Sequence, residues 1–310
     1  MSGQGYFLNR LCQFVLFTAL LCGALFSHVA GAQDLEPRSY TNIPVGESFL
    51  VVGYIRSGGE IAPSGTSSPI QDFELDIDAG VIGFAHSFGL AGKSAKIDMG
   101  ATRQCWEGSA TYRGEFVADR RCGYGDPKIR LSWNFYGAPA LALEEFMTWE
   151  PGLVIGTSLQ VSVPVGTYKD DQLVNFGANR WMFRPGIGMS HKFGRWHYDV
   201  IASVRLYEDN DDFFNGSTVE QDPLYSVQGH LIYNLRKGRW LSLNANFYRG
   251  GETSVEHIPS RNLKENSRFG MTYSTPINRH NSLKLYASTG VLTRTGDDFD
   301  TFGIAWQYRF

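Results

Sequence analysis

The sequence predicts an all-β chain, a single antiparallel transmembrane β-barrel of the outer-membrane type with about 12 strands. Three observations lead there. Apolar residues alternate with polar or small ones in segment after segment, short turns alternate with long polar connections, and the chain ends on an aromatic residue. Composition agrees. Of 310 residues 35 are Gly and 14% are aromatic, whereas only 19% are charged. Many short strands and turns give that mixture; disordered or coiled-coil chains do not. A mean hydropathy of -0.22 excludes a bundle of membrane helices, each needing about 20 consecutive apolar residues. A net charge of -3 offers nucleic acid no electrostatic hold, so no nucleic-acid partner is expected.

From the N-terminus, residues 1–32 read as a secretory signal peptide. Arg10 is the n-region charge, Leu11 to Phe26 is a nearly unbroken apolar run, and Ala30-Gly31-Ala32 is a small-residue cleavage site. An uncleaved anchor helix fits less well, because the run is short and no stop-transfer charges follow. A lipoprotein would need small residues before Cys22, where Leu20-Leu21 stand. Cleavage removes Cys12 and Cys22 and leaves Cys105 and Cys122. In an exported chain that pair is expected to form a disulfide rather than stay as two thiols. Residues 33–46 are expected to be a periplasmic N-terminal segment, and 47–310 the barrel.

The strands follow by period-two alternation. Trp196, Tyr198, Val200, Ala202, Val204 and Leu206 alternate with His197, Asp199, Ser203 and Arg205. Tyr225, Val227, Gly229 and Leu231 alternate with Ser226, Gln228 and His230, and Leu241, Leu243, Ala245 and Phe247 with Ser242, Asn244, Asn246 and Tyr248. Leu283, Leu285 and Ala287 alternate with Ser282, Lys284 and Tyr286. Phe302, Ile304, Trp306, Tyr308 and Phe310 alternate with Gly303, Ala305, Gln307 and Arg309. A soluble sandwich would show the same pattern with its apolar face inward. The aromatics favour a membrane: Trp196 and Trp240 each open a strand after a tight turn, and Trp306, Tyr308 and Phe310 close the last one, as an interfacial girdle requires.

Short connections at Gly89–Gly92, Gly194-Arg195, Lys237-Gly238 and Asn278–Asn281 alternate with longer ones near 58–71, 106–121, 166–178, 208–222, 251–262 and 294–298. That is the asymmetry of short periplasmic turns and long outer loops. The stretch 137–151 is an exception, since Leu141 to Met147 could form a short helix. Cys105 and Cys122 flank one outer loop, which their bond would close. Phe310, with apolar residues at alternating positions before it, resembles the C-terminal signature of outer-membrane barrels, which implies the barrel assembly machinery as a partner.

Several phrases carry a wider resemblance: Asp34-Leu35-Glu36-Pro37-Arg38-Ser39-Tyr40, Tyr124-Gly125-Asp126-Pro127-Lys128-Ile129-Arg130-Leu131, Asn179-Arg180-Trp181, Asp209-Asn210-Asp211-Asp212-Phe213-Phe214, Glu220-Gln221-Asp222-Pro223-Leu224-Tyr225 and Asp297-Asp298-Phe299-Asp300. In that order they resemble the putative MetA-pathway of phenol degradation family. The resemblance implies a barrel in the outer membrane of a Gram-negative bacterium, a transporter associated with the breakdown of aromatic compounds. It brings no established binding residues with it.

On the strand map Arg130, Asp199, Arg205, His230, Lys284 and Arg309 point into the lumen, with His197 and Gln228. Such groups tune solute selectivity in a wet pore, or pair with one another and stiffen it. Tyr207, Tyr248 and Tyr286 share that face and offer stacking surfaces to an aromatic solute, or simply fill space. The acidic runs Glu208, Asp209, Asp211, Asp212 and Asp297, Asp298, Asp300 miss calcium-loop spacing, so no metal is expected. HExxH and GxSxG are missing, and no cofactor or enzymatic activity is expected. The expected function is passive passage of small hydrophobic or aromatic compounds. The alternatives are a structural or surface-interaction barrel with a filled lumen, and an enzyme acting on membrane lipid. Expected partners are outer-membrane lipid and the solute itself.

Overall fold

The computed structural model describes residues 35–60, 70–112, 115–172, 174–292 and 298–310. The signal peptide expected over 1–32, and parts of the connections near 58–71 and 294–298, lie outside the described residues. In chain order the elements are β1 (Ser48–Glu60), β2 (Ile70–Leu90), β3 (Lys93–Tyr112), β4 (Glu115–Tyr124), β5 (Lys128–Tyr136), a single helical turn α1 (Leu143–Phe146), β6 (Leu153–Ser162), β7 (Met182–Phe193), β8 (Trp196–Tyr207), β9 (Asn210–Phe213), β10 (Ser217–Gln221), β11 (Leu224–Asn234), β12 (Trp240–Gly250), β13 (Thr253–Val255), β14 (Ile258–Pro259), β15 (Lys264–Pro276), β16 (Asn281–Leu292) and β17 (Asp298–Arg309).

Neighbouring wall strands pair antiparallel, and β1 closes the ring on β17 from Phe49 opposite Arg309 to Glu60 opposite Asp298. The result is a closed 12-strand antiparallel barrel of the outer-membrane kind. One wall strand is broken. β5 pairs with the inner half of β3, ending at Lys128 opposite Gly100, and β4 pairs with the outer half, starting at Tyr124 opposite Arg103. The interruption is Gly125-Asp126-Pro127, where proline cannot donate to a ladder. On the long-loop side β9, β10, β13 and β14 form a separate small sheet.

The faces are inverted relative to a soluble barrel. On β12, Leu243 and Phe247 are exposed while Ser242, Asn244, Asn246 and Tyr248 are buried. The same holds on β8, where Val200 and Leu206 face out and His197, Asp199 and Arg205 face in. Around the ring, Val52, Ile82, Leu131, Leu159, Ile187 and Phe302 continue an exposed apolar band. Water penalises such a band and hydrocarbon does not, which breaks the tie that alternation leaves open.

At the short-turn end, the Trp196 ring meets Tyr233 at 4.8 Å, and Tyr308 meets Phe310 edge-on at 5.0 Å. Trp306 Nε1 donates to Asn281 Oδ1 at 2.9 Å. Trp240 does not join this outward set. It is 8% exposed and faces the lumen. The reason is phase: Trp196 is in step with Tyr198 and Val200, whereas Trp240 is in step with Ser242 and Asn244, the inward face of its strand. Each tryptophan follows Gly-Arg, at 194–195 and 238–239, and that shared context conceals the difference.

The N-terminal segment also departs from expectation. Its described part, from Leu35 to Gly46, does not lie free on the periplasmic side. It enters the barrel and bonds to inward side chains before β1 begins. The helix left open over 141–147 is the single turn α1, and the preceding turn anchors this segment: Val45 N donates to Leu141 O at 2.9 Å and Asn42 Nδ2 to Pro139 O at 3.2 Å.

Candidate functional site

The lumen site begins with Leu35 to Asn42. Arg38 adopts a left-handed conformation, φ 69°, and the Ser39 hydroxyl donates to Glu36 O at 2.8 Å. The segment therefore turns sharply and sends its side chains to opposite walls. The Glu36 carboxylate pairs with Arg130 on β5, whose Nε also reaches Asp98 Oδ2 on β3 at 3.2 Å. Lys96 adds a contact to Asp98 at 3.1 Å. Burial alone would raise the Glu36 pKa, but Arg130, Arg184 and Lys96 outweigh it and hold the carboxyl well below the usual carboxylate range.

On the other side, the Arg38 backbone N–H donates to Asp199 Oδ2 at 2.6 Å. The Arg38 guanidinium bonds to the Asn234 side chain and lies 4.9 Å over the Trp240 ring. Tyr40 is 2% exposed. Its ring sits on Gly156 of β6 and Gly188 of β7, which are register partners, and a Cβ at either would strike the ring. Its hydroxyl lies 2.8 Å from Ser158 Oγ. Leu35 to Asn42 thus form a plug keyed to the wall by charge, stacking and shape.

Beside the plug stand Ser190, His197 and Asp199. Ser190 Oγ is 2.5 Å and Asp199 Oδ1 3.2 Å from the same ring nitrogen, Nε2. A hydrolytic relay needs serine and carboxylate on opposite nitrogens. This cluster instead holds Asp199 in place under Arg38.

Beside the plug, from Gly238, Pro276 and Arg309 at the short-turn end to Phe299 towards the long loops, runs a cavity of about 940 Å³ that Leu35 to Ser39 help to line. Phe49, Val51, Ile55, Val81 and Ala85 give it an apolar wall on β1 and β2, while Lys96, Arg130, Lys284 and Arg309 bring charge from the others. Towards the long loops it meets an apolar layer of Leu75, Ile77, Trp106 and Phe299, against which Val174 and Phe176 pack from the connection between β6 and β7. Asp126, at the break between β4 and β5, fixes that connection by accepting from Gly166 N at 2.8 Å and Ala178 N at 2.7 Å. Cys105 and Cys122 stand opposite each other on β3 and β4 and are joined by a disulfide.

Every lumen candidate from the sequence faces inward. Arg130, Lys284, Tyr286 and Arg309 line the cavity, the last paired with Glu47 at 3.5 Å. Asp199, Arg205, His230 and Tyr248 are buried in the inward layer outside its lining; His230 Nδ1 is 2.9 Å from Asn244 Oδ1. His197 and Gln228 are buried likewise, and Tyr207 lies under the Arg180 guanidinium at 5.0 Å. Among the described residues no group of three or more His, Cys, Asp or Glu is placed to hold a metal ion. Sequence reasoning missed Glu36, Arg38, Tyr40 and Asp126 as working residues. Their signal lay in the phrases around them, which carried the family resemblance without a role.

A sequence profile described as Putative MetA-pathway of phenol degradation matches residues 57–310. The chain belongs to that family. The match starts within β1, so the profile covers the rest of the barrel and leaves out the plug. No curated protein matches the sequence. Among solved structures, an outer membrane channel from Pseudomonas putida F1 is similar over 89% of this chain and 100% of its own, with a TM-score of 0.75 at 20% identity. The transport unit of the autotransporter AIDA-I from Escherichia coli is similar over 94% and 97%, with a TM-score of 0.53 at 11% identity. At these identities the likeness is one of fold, and it agrees with the closed 12-strand barrel.

Proposed function

We propose that this family member is a channel in the outer membrane of a Gram-negative bacterium, through which small hydrophobic or aromatic compounds pass without energy input. The observation that carries the reading is the cavity of about 940 Å³ inside the barrel, lined by apolar and charged side chains and flanked by the plug. A structural barrel would gain nothing from such a space. Membership of a phenol-degradation family and the likeness to a Pseudomonas channel support the reading. Arg130, Lys284, Tyr286 and Arg309 are the residues that would meet the solute. Export through a cleaved signal over 1–32, and assembly through the strand ending in Phe310, complete the proposal.

The test is single-channel conductance of the refolded mature protein in a planar bilayer, with phenol or benzoate added on one side. Discrete openings that these solutes block are expected. A folded barrel that conducts nothing and admits neither solute to liposomes would favour the second reading, a structural barrel. That reading has its own observation, the partial filling of the lumen by the plug and by the apolar layer at Phe176.

A further inference from the structure

The charge in the cavity is one-sided. Six cations line it against two carboxylates, although the chain as a whole is at -3. Both carboxylates are already engaged: Glu36 by Arg130, and Asp98 by Arg130 and Lys96. Arg309 has Glu47. Lys284 has no such partner. It faces the cavity from β16 and forms no hydrogen bond or ion pair with a described residue. Lys96, Arg38 and Arg130 repel its charge, and Glu36, which attracts it, is shared with Arg130. A cation left so is costly unless something anionic joins it.

The wall beside Lys284 leaves room for that partner. Its register neighbour on β17 is Ala305, whose own neighbour on β1 is Gly53. One inward step along β16, the Tyr286 ring lies over Gly303, where any Cβ would strike it. Ile55 stands opposite Gly303 on β1. An ammonium, a gap walled by small residues and an aromatic and aliphatic shelf therefore follow one another, and the shelf runs on towards Phe299 at the apolar layer.

We infer that the cavity binds a carboxylate that carries an aromatic or aliphatic body. The carboxylate sits at the Lys284 ammonium, and the body lies along Tyr286 and Ile55. The inference rests on the lumen being the solute route proposed above, and narrows the solute to an organic anion. Lys284 determines specificity; a neutral solute of the same shape would leave its charge unpaired.

The experiment is calorimetric titration of the detergent-folded mature barrel with 4-butylbenzoate and with its uncharged counterpart 4-butylbenzamide. The benzoate is expected to bind about tenfold or more tightly than the amide, as one charge-assisted contact allows. Lys284→Gln should abolish the difference and Lys284→Arg should retain it, with each variant's fold checked by its heat-dependent gel mobility. Equal binding of the two probes, or a preference that survives Lys284→Gln, would overturn the inference. Uptake of the same probes into proteoliposomes is scored separately. Preference in binding without uptake would sink the passage proposal and keep the site. Uptake of both probes without any preference would keep passage and sink the site.

Discussion

Tyr40 shows how much of the lumen depends on single residues. Its ring fits because Gly156 and Gly188 face each other across two strands and neither offers a Cβ. Burying an aromatic ring stabilises docking by about 2–3 kcal/mol. Tyr40→Ala should therefore raise the open fraction in single-channel records by about one to two orders of magnitude. Gly188→Val should act in the same direction from the wall side, since its side chain would occupy the ring's place. If neither variant changes the open fraction, the ring is not what closes the lower end. At this scale the sequence was partly legible. Alternation placed Arg130, Lys284 and Arg309 inward because a strand has only two faces. It could not say that two inward glycines make a socket, because the ring that fills it comes from more than a hundred positions away.

The plug and the outer arm are the elements with separable behaviour. Glu36 is an ordinary carboxyl when released and a strongly acidic one when docked, so its contribution to docking is complete above about pH 4.3 and declines as the pH falls below that. Conductance should be level from pH 8 to 5 and rise under stronger acid. Glu36→Gln should raise it throughout and remove the acid dependence; a wild-type channel indifferent to pH 3 would contradict the account. The arm of β3 and β4 is tied by Cys105 and Cys122, 17 positions apart. Closing such a loop contributes about 3 kcal/mol to that hairpin. Reduction should expose the arm to protease while the barrel's thermal transition moves little, because β2 and β5 still hold the lower part of β3. An equal loss across the whole barrel would show that the bond is needed for closure of the wall. The inward course of residues 35–46 was not legible, because a short polar stretch before a first strand gives no local sign of folding inward. Its partners, Arg130, Asp199 and Trp240, belong to β5, β8 and β12.

At the scale of the whole molecule, the strand count, the inverted faces and the alternating connections were all readable, since each repeats many times along the chain and one ambiguous strand is outvoted. Trp240 was misread for the opposite reason, as one residue judged by its turn and not by the phase of its strand. What no repeat reveals is that chain segments far apart in sequence intrude into the bore at two levels: Leu35 to Asn42 at one, and Val174 and Phe176 against the apolar layer at the other. On the channel reading proposed above, two such obstructions with a chamber beside them work as a lock, not a pipe. Ions would then cross only when both obstructions give way together, a coincidence as rare as the product of two small odds. A molecule that can wait in the chamber would need them to give way only one after the other. On that reading a cell envelope could admit a scarce solute through many copies without becoming leaky.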